Sequence, residues 1–138
     1  MSRSLLDLEP DVRRMAEEHQ RLCAAEGIEV VFTHTLRTAA EQQALYDRGR
    51  TKPGPIVTNA RPGYSWHEYG RAYDLAIRSW AGDQTPRDWY DGPWDRVGAL
   101  GELAGMEWGG HWKRPDYPHF EHHGGKTLAQ RRAERATA

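Results

Sequence analysis

Two patterns of hydrophobic and polar positions occupy the first part of the chain. From Pro10 to Glu26, apolar residues recur every three or four positions, which predicts a helix with proline in its first turn and Gly27 at its end. The β-branched run from Ile28 to Thr33 predicts a strand directly after this helix. The helical stripe consists of Val12, Met15, Ala16, His19, Leu22 and Cys23.

Turn-forming residues dominate the next part of the chain. Thr38 and Glu41 have the spacing of a capping box, which predicts a second helix that ends near Gly49. From Thr51 to Gly70, proline, glycine and asparagine predict a long loop. A loop of this length in a small domain generally serves function or is disordered.

Alternation of apolar and polar positions returns after this loop. Tyr73, Leu75 and Ile77 alternate with small or acidic residues, which predicts a strand with Asp74 on its opposite face. A loop at 80–92, a third helix at 93–104 and short strands at 106–108 and 119–121 are predicted to follow. Because helices and strands are interspersed without a regular βαβ rhythm, we expect an α+β fold. The expected architecture is a small single domain with a short antiparallel sheet flanked by helices.

Composition and charge exclude several classes of protein. The 138 residues suffice for one compact domain, and 19 basic against 20 acidic residues leave a net charge of −1. No global field therefore recruits nucleic acid. No stretch approaches the ~20 apolar residues of a membrane span, and residues 1–10 lack an apolar run of signal-peptide length. We expect synthesis in the cytoplasm without a signal peptide, and Cys23, the single cysteine, excludes an intrachain disulfide.

Candidate metal ligands lie in two stretches, at His67 and Asp74 and at His119. Two imidazoles and one carboxylate suit a zinc ion that keeps an open position for water or substrate. Asp116, three residues before His119, has the chemistry of a general base beside such a metal. Gly70 interrupts the run between the first two residues, so the imidazole can arrive from the loop and the carboxylate from the strand. The pattern therefore predicts a metallohydrolase.

Each stretch also has a structural explanation. His67 could cap a turn while Asp74 makes a buried hydrogen bond, and His119 could belong to core packing. Pro118 makes the backbone before His119 rigid and extended, which is a suitable platform for a ligand. The presence of both stretches in one small chain favours metal binding.

The remaining histidines are weaker candidates. His67 does not begin a His-Glu-x-x-His zinc helix, because Arg71 occupies the last position of that motif. His19, on the helical stripe, is expected to be packed or half-exposed, and His34 is expected to be structural although it lies close enough in sequence to line the site. For His111, His122 and His123, either contacts around the site or no role is expected.

Further motifs surround these residues between about 28 and 121. They are Thr35-Leu36-Arg37-Thr38 with Glu41-Gln42; Leu45-Tyr46-Asp47-Arg48-Gly49-Arg50; Ser65-x-His67-x-x-Gly70-x-Ala72-x-Asp74; Glu107-Trp108-Gly109-Gly110-x-Trp112; and Asp116-x-Pro118-His119-Phe120. In this combination the chain resembles the VanY-like M15 peptidases, a family of zinc-dependent D-Ala-D-Ala carboxypeptidases, dipeptidases and L-alanyl-D-glutamate endopeptidases that includes bacteriophage endolysins. The resemblance implies a hedgehog/DD-peptidase-like fold.

The resemblance also implies roles for individual residues. It implies zinc held by His67, Asp74 and His119, with Asp116 as the base and Arg37 as the cation that holds the scissile carbonyl oxygen. A guanidinium keeps its charge and is rigid, which suits the last role, although a surface ion pair with Glu41 is an alternative. Substrate-binding residues are expected at Ser65, Gln42, Trp108 and Trp112, with two alternatives left open: Ser65 and Gln42 could orient a ligand instead, and Trp108 could belong to the core.

Among the activities of this family, the sequence favours L-alanyl-D-glutamate endopeptidase, with the peptidoglycan stem peptide as substrate. Aspartate rather than glutamate at Asp116, the Glu107 to Trp112 stretch and the lack of a signal segment favour the phage endolysin branch. Alternatives are a D-Ala-D-Ala carboxypeptidase or dipeptidase, or a non-catalytic zinc-binding cell-wall module. We expect a monomer that acts on the wall after release, with a catalytic domain at 1–123 and a basic tail at 124–138 that is a short helix or a frayed end.

Overall fold

The computed structural model describes residues 1–82, 86–88 and 90–137. In these ranges the helices are α1 (Pro10–Ala25), α2 (Ala39–Asp47), α3 (Trp94–Leu103) and α4 (Leu128–Thr137). The strands are β1 (Ile28–His34), β2 (Ala72–Trp80), β3 (Glu107–Trp108) and β4 (His119–Glu121), and short 3-10 helices lie at Leu5–Asp7, Trp66–Tyr69 and Gly109–His111. No described helix is both long and apolar enough to cross a membrane.

The four strands form one antiparallel sheet in the order β1-β2-β4-β3. Helices α1 and α3 pack against it, and the core between them contains Val12 and Ala16 from α1, Leu75 from β2, Val97 from α3 and Phe120 from β4. All five side chains are almost or completely buried. The predicted α+β fold with a short antiparallel sheet flanked by helices is confirmed.

Local signals placed most elements within a few residues of their observed bounds. The predicted capping box at Thr38 is present, since its hydroxyl accepts from the Glu41 amide and the Glu41 carboxylate accepts from the Thr38 amide. Strand β2 continues to Trp80, beyond the predicted end at 77, because Ile28 and Glu29 extend the ladder opposite Trp80 and Ser79. Part of the loop predicted at 80–92 lies outside the described residues.

The predicted long loop at 51–70 contains an element that composition did not indicate. Its last residues form the 3-10 helix Trp66–Tyr69, called the His67 turn below. Ser65 caps this turn and Gly70 ends it with a left-handed backbone at φ 67°. The left-handed conformation strongly favours glycine, so Gly70 allows the chain to leave the turn and enter β2. The loop, for which either function or disorder was expected, therefore ends in an ordered, capped support for His67.

Candidate metal centre and catalytic groove

The register of the sheet brings three of the candidate residues into one row. Asp74 lies on β2 opposite His119 of β4, and on its other side it pairs with His34 at the end of β1. Directly opposed residues in an antiparallel sheet project to the same face. The carboxylate of Asp74 is therefore held between two imidazoles, with His34 Nδ1 3.3 Å from its Oδ2.

His67 reaches the same carboxylate from the His67 turn. Its Nε2 lies 3.3 Å from Asp74 Oδ1, and His119 Nδ1 lies 3.1 Å from that same oxygen. One atom from each of the three side chains falls within 4.8 Å of the other two, close enough to share a metal ion. The structure thus brings together the three residues that the sequence singled out as a ligand set.

The remaining nitrogen of each imidazole is already bonded. His67 Nδ1 donates to the Thr35 carbonyl oxygen at 2.8 Å, and His119 Nε2 lies 2.8 Å from Glu121 Oε1. Histidines that bind metals generally use their second nitrogen in this way, with a carbonyl or a carboxylate fixing the tautomer and the ring orientation. The donor set and its supporting contacts therefore fit a zinc ion.

The electrostatics of the cluster also favour a cation. Burial alone would lower the pKa of His119, but hydrogen bonds to Asp74 and Glu121 raise it to about 10. Burial would raise the pKa of Asp74, yet hydrogen bonds from His119, His34 and His67 hold it well below its usual range. Without a metal, an imidazolium lies between two carboxylates. This is the charge arrangement that a divalent ion can replace.

Two supporting residues escaped the sequence analysis. His34 was expected to be structural, and its contact with Asp74 gives it a place beside the cluster. Glu121 is not among the predicted site residues, yet it is 6% exposed, its Oε1 contacts His119 and its Oε2 contacts His123. The available signal was its spacing of two from His119, which places both side chains on one face of a strand.

Asp116 lies beside this cluster in a groove of about 570 Å³. Its amide donates to the Gly109 carbonyl at 2.9 Å, and a Cβ on Gly109 would lie 2.7 Å from the Asp116 carbonyl oxygen. The glycine therefore permits the close approach that fixes Asp116. Desolvation raises the pKa of the Asp116 carboxyl; His119 and His67 oppose the rise, whereas Asp74 and Glu121 add to it.

Arg37 enters the groove from the segment between β1 and α2. Its Nη1 donates to Gln42 Oε1 at 2.9 Å, and the Gln42 amide donates to the Ala60 carbonyl oxygen at 2.7 Å. Glu41, the alternative partner of Arg37, instead pairs with the α-amino group of Met1 at 2.6 Å. Burial lowers the pKa of Arg37, whereas Asp74, Glu68 and Glu41 raise it. Gln42 thus orients the guanidinium from a fully buried position.

The other predicted substrate-binding residues lie in different environments. Ser65 lines the groove and its hydroxyl accepts from the His67 amide at 3.3 Å. Trp112 also lines the groove, is 37% exposed and lies with its ring 5.2 Å from that of His119. Trp108 is 5% exposed in the core and donates from its indole to the Tyr117 carbonyl oxygen. For Trp108 the structure therefore agrees with the core alternative.

Comparisons with known proteins identify relatives of this chain. A family profile described as D-alanyl-D-alanine carboxypeptidase matches residues 58–122. The chain is 43% identical over 122 residues to the peptidoglycan L-alanyl-D-glutamate endopeptidase CwlK of Bacillus subtilis (strain 168), covering 83% of this chain and 73% of the relative.

Solved structures share the fold. The L-Ala D-Glu endopeptidase ChiX of Serratia marcescens matches with a TM-score of 0.59 at 22% identity, over 93% of this chain and 86% of that one. A variant of the vancomycin-resistance D,D-pentapeptidase VanY in complex with Zn(II) matches with a TM-score of 0.63 at 14% identity, over 91% of this chain and 78% of that one. With the identity to CwlK over most of both chains, these findings confirm the predicted resemblance: the chain belongs to the M15 family of zinc peptidases.

Proposed function

We propose that this protein is a zinc-dependent peptidoglycan endopeptidase that hydrolyses the L-alanyl-D-glutamate bond of the stem peptide. The observation that carries the proposal is the convergence of His67, Asp74 and His119 on one point of a groove that also contains Asp116 and Arg37. The choice of bond is supported by the 43% identity to CwlK, which is named for that cleavage.

His67, Asp74 and His119 are the proposed ligands, through Nε2, a carboxylate oxygen and Nδ1 respectively. Zinc bound by three such protein groups supplies Lewis acidity, which polarises a carbonyl and makes water acidic enough to react near neutral pH. The chain fixes the ligand geometry through the Thr35 carbonyl and the Glu121 carboxylate. These contacts leave the groove side of the cluster for water and substrate.

Asp116 is the proposed general base. Its carboxylate takes the proton of the attacking water and then gives that proton to the amine that leaves. The raised pKa of this carboxyl brings it closer to neutral pH, where a group that must both accept and release a proton is most effective. The hydrogen bond between the Asp116 amide and Gly109 fixes the backbone that carries it.

Arg37 is the proposed partner of the carbonyl oxygen at the scissile bond. The guanidinium cannot lose its proton under working conditions, so it stabilises negative charge that develops on that oxygen. Gln42 accepts only from Nη1, Nε is buried out of reach of a substrate, and Nη2 makes no hydrogen bond among the described residues. The side chain is thus oriented by the protein and still has donor capacity for a substrate.

Ser65 and Trp112 are the proposed contacts to the peptide itself, because both line the groove beside the ligands. A polar hydroxyl and a large aromatic face suit a stem peptide with amide groups and short side chains. Gln42 and Trp108 act indirectly under this proposal. The first orients Arg37, and the second donates to the Tyr117 carbonyl just before Pro118 and His119.

The main alternative activity is removal of D-alanine by a D-Ala-D-Ala carboxypeptidase or dipeptidase, which the description of the matching family profile favours. Digestion of purified muropeptides followed by mass spectrometry separates the two activities. We expect products with a new amino terminus at D-glutamate. Release of free D-alanine without that terminus would contradict the proposed bond.

Substitution of Asp116 tests catalysis against a non-catalytic zinc-binding module. Asp116→Asn should lower the rate of muropeptide cleavage by about 100-fold to 10,000-fold, the usual contribution of a general base, while metal analysis shows zinc retained. Asp95→Asn, on the first turn of α3, is the matched control and should cleave at the wild-type rate. An Asp116→Asn protein with wild-type activity would exclude this residue as the base.

The proposed substrate places the site of action at the bacterial cell wall. Within that setting we propose a role in lysis of the phage endolysin kind, with the protein acting as a monomer. Lysis of cells by added protein, compared with Asp116→Asn, tests the first part, and the mass in solution measured by light scattering tests the second. Cell walls left intact by a protein that cleaves isolated muropeptides would contradict the lytic role.

A further inference from the structure

Helix α4, in the basic segment at the end of the chain, packs against the His67 turn. Arg135 Nη1 donates to Glu68 Oε1 at 3.2 Å, and its Nη2 donates to the Glu68 carbonyl oxygen at 2.8 Å. The guanidinium also lies 4.3 Å over the ring of Tyr69. One side chain of α4 therefore contacts two of the four residues of the turn. At Glu68, the neighbour of His67, it contacts both the side chain and the backbone.

Glu68 is the centre of the hydrogen bonds that shape this turn. Its side chain is completely buried, and its carboxylate accepts from the amides of Gly63 and Ser65 at 2.9 and 3.1 Å. The second of these bonds is half of the capping box at the start of the turn, and the other half joins Ser65 to the backbone of the turn. The shape of the turn, and with it the direction of His67, therefore depends on a buried carboxylate.

A buried carboxylate is stable in its charged form only when charge and hydrogen bonds compensate it. Among the described residues, Arg135 is the one cation that forms an ion pair with Glu68. Because the same guanidinium also holds the Glu68 carbonyl, loss of Arg135 leaves both groups without that donor. The backbone next to His67 would then lose one of its fixed points.

Other arginines of α4 dock the helix in the same place. Arg132 lies 4.0 Å over the ring of Tyr64, and Arg131 donates to the His123 carbonyl oxygen at 2.7 Å. Cation–aromatic contacts and bonds to carbonyl oxygens fix the helix, none of whose described residues is buried. The basic character of the segment is thus used for docking onto the catalytic domain.

We propose that Arg135 is a positioning residue for the metal centre, acting through Glu68 on the orientation of His67. The proposal rests on the proposed function in one respect, since it takes His67 to be a zinc ligand. Arg135 itself does not line the groove and is not one of the proposed ligands. It holds the turn in the conformation in which Nε2 of His67 faces Asp74.

The test measures zinc affinity and ligand geometry in the full-length protein. Arg135→Ala should weaken zinc binding by about tenfold, the lower end of the effect of removing a group that supports a ligand. Competition with a chromophoric chelator measures the affinity, and the visible spectrum of the cobalt-substituted protein reports on the geometry. Circular dichroism establishes that the variant is folded.

Two further variants make the result specific. Arg135→Lys keeps the positive charge but cannot donate to both acceptors in a fixed fork, so its zinc affinity should fall between wild type and Arg135→Ala. Lys126→Gln removes a cation that lies just before α4 and whose one ion pair among the described residues is with Glu134 of that helix, so it should leave zinc affinity and the cobalt spectrum unchanged. If Arg135→Ala is unfolded, the comparison between Arg135→Lys and Lys126→Gln carries the test.

The outcomes separate this inference from the proposed function. Weaker zinc binding and a changed cobalt spectrum in folded Arg135 variants support the inference whatever bond the enzyme cuts. Wild-type affinity and spectrum in Arg135→Lys, and in Arg135→Ala where it folds, would overturn it. A wild-type protein that binds zinc but does not cleave muropeptides would instead overturn the proposed function.

Discussion

Two buried histidines, His119 in the groove and His19 in the core, have pKa values that are shifted in opposite directions. His119 projects into the groove, where Asp74 and Glu121 contact its two nitrogens and raise its pKa to about 10. His19, on α1, is in contact with Phe120, the next residue of the same strand, and burial lowers its pKa to about 4. Adjacent residues of a strand point to opposite faces, so one residue step separates the groove from the core.

The partners of His19 explain the difference. Its Nε2 donates to the Val97 carbonyl oxygen at 2.8 Å, which leaves Nδ1 to accept from the Tyr73 hydroxyl at 2.8 Å. Both partners are neutral, and they satisfy a neutral imidazole completely. Neutral partners therefore make the buried His19 an uncharged core residue, whereas charged partners leave the buried His119 ready to exchange a proton for a metal. The charge of the neighbours, and not the degree of burial, decides which role a histidine takes.

The largest expected effect comes from removing the groove-side imidazole. His119→Ala should lose stoichiometric zinc and slow muropeptide cleavage by at least about 1,000-fold, because the metal contributes several kcal/mol to the reaction. Metal analysis and cleavage rates measure both quantities. His19→Gln is the matched control, and it should keep bound zinc. If His19→Gln also lost zinc, His19 would not be a core residue that is separate from the metal centre.

A smaller effect is expected in the pH dependence of folding stability, and protonation of His19 causes it. The unfolded chain binds a proton at His19 near pH 6.5, whereas the folded chain does so only near pH 4. Folding stability is therefore unaffected by this group above about pH 6.5 and decreases as the pH falls towards 4. Between pH 7 and pH 5 the decrease should amount to about 2 kcal/mol in the free energy of unfolding.

Urea unfolding at several pH values, with zinc removed from every sample, measures this decrease. His19→Gln should show a pH dependence that is smaller by about 2 kcal/mol over the same range, since the other titrating groups are common to both proteins. Equal slopes for wild type and His19→Gln would mean that His19 titrates normally in the folded protein.

The same contrast shows how far the sequence could predict this molecule. The helical stripe placed His19 on the packed side of α1, and the separate motifs identified His67, Asp74 and His119. The structure buries His19 and brings the other three side chains together, and both features could be anticipated because they depend on local spacing and on the chemistry of each side chain. They did not identify Glu121, since a glutamate in a short strand is unremarkable until the register places it beside an imidazole.

Contacts between distant parts of the chain were beyond prediction from one sequence. Arg135 and Glu68 are 67 residues apart, and no local pattern links a basic segment to a buried glutamate. Trp108 shows the converse problem. Its motif suggested a groove wall, but Gly98 and Gly110 leave space for its ring, and a Cβ at either position would lie within 2.3 Å of it. The indole therefore packs in the core, a placement that depends on three-dimensional neighbours.

The smallest effect concerns the carboxylate behind His119. Glu121→Gln keeps the shape of the side chain but gives Nε2 of His119 a neutral partner, as His19 has. Zinc affinity should therefore fall by about tenfold. Glu29→Gln is the control, because Glu29 lies on β1 and pairs with the exposed Arg78 at 3.2 Å. Competition with a chromophoric chelator measures the zinc affinity of both variants. If Glu121→Gln bound zinc as tightly as wild type, the difference between the two histidines would depend on Asp74 alone.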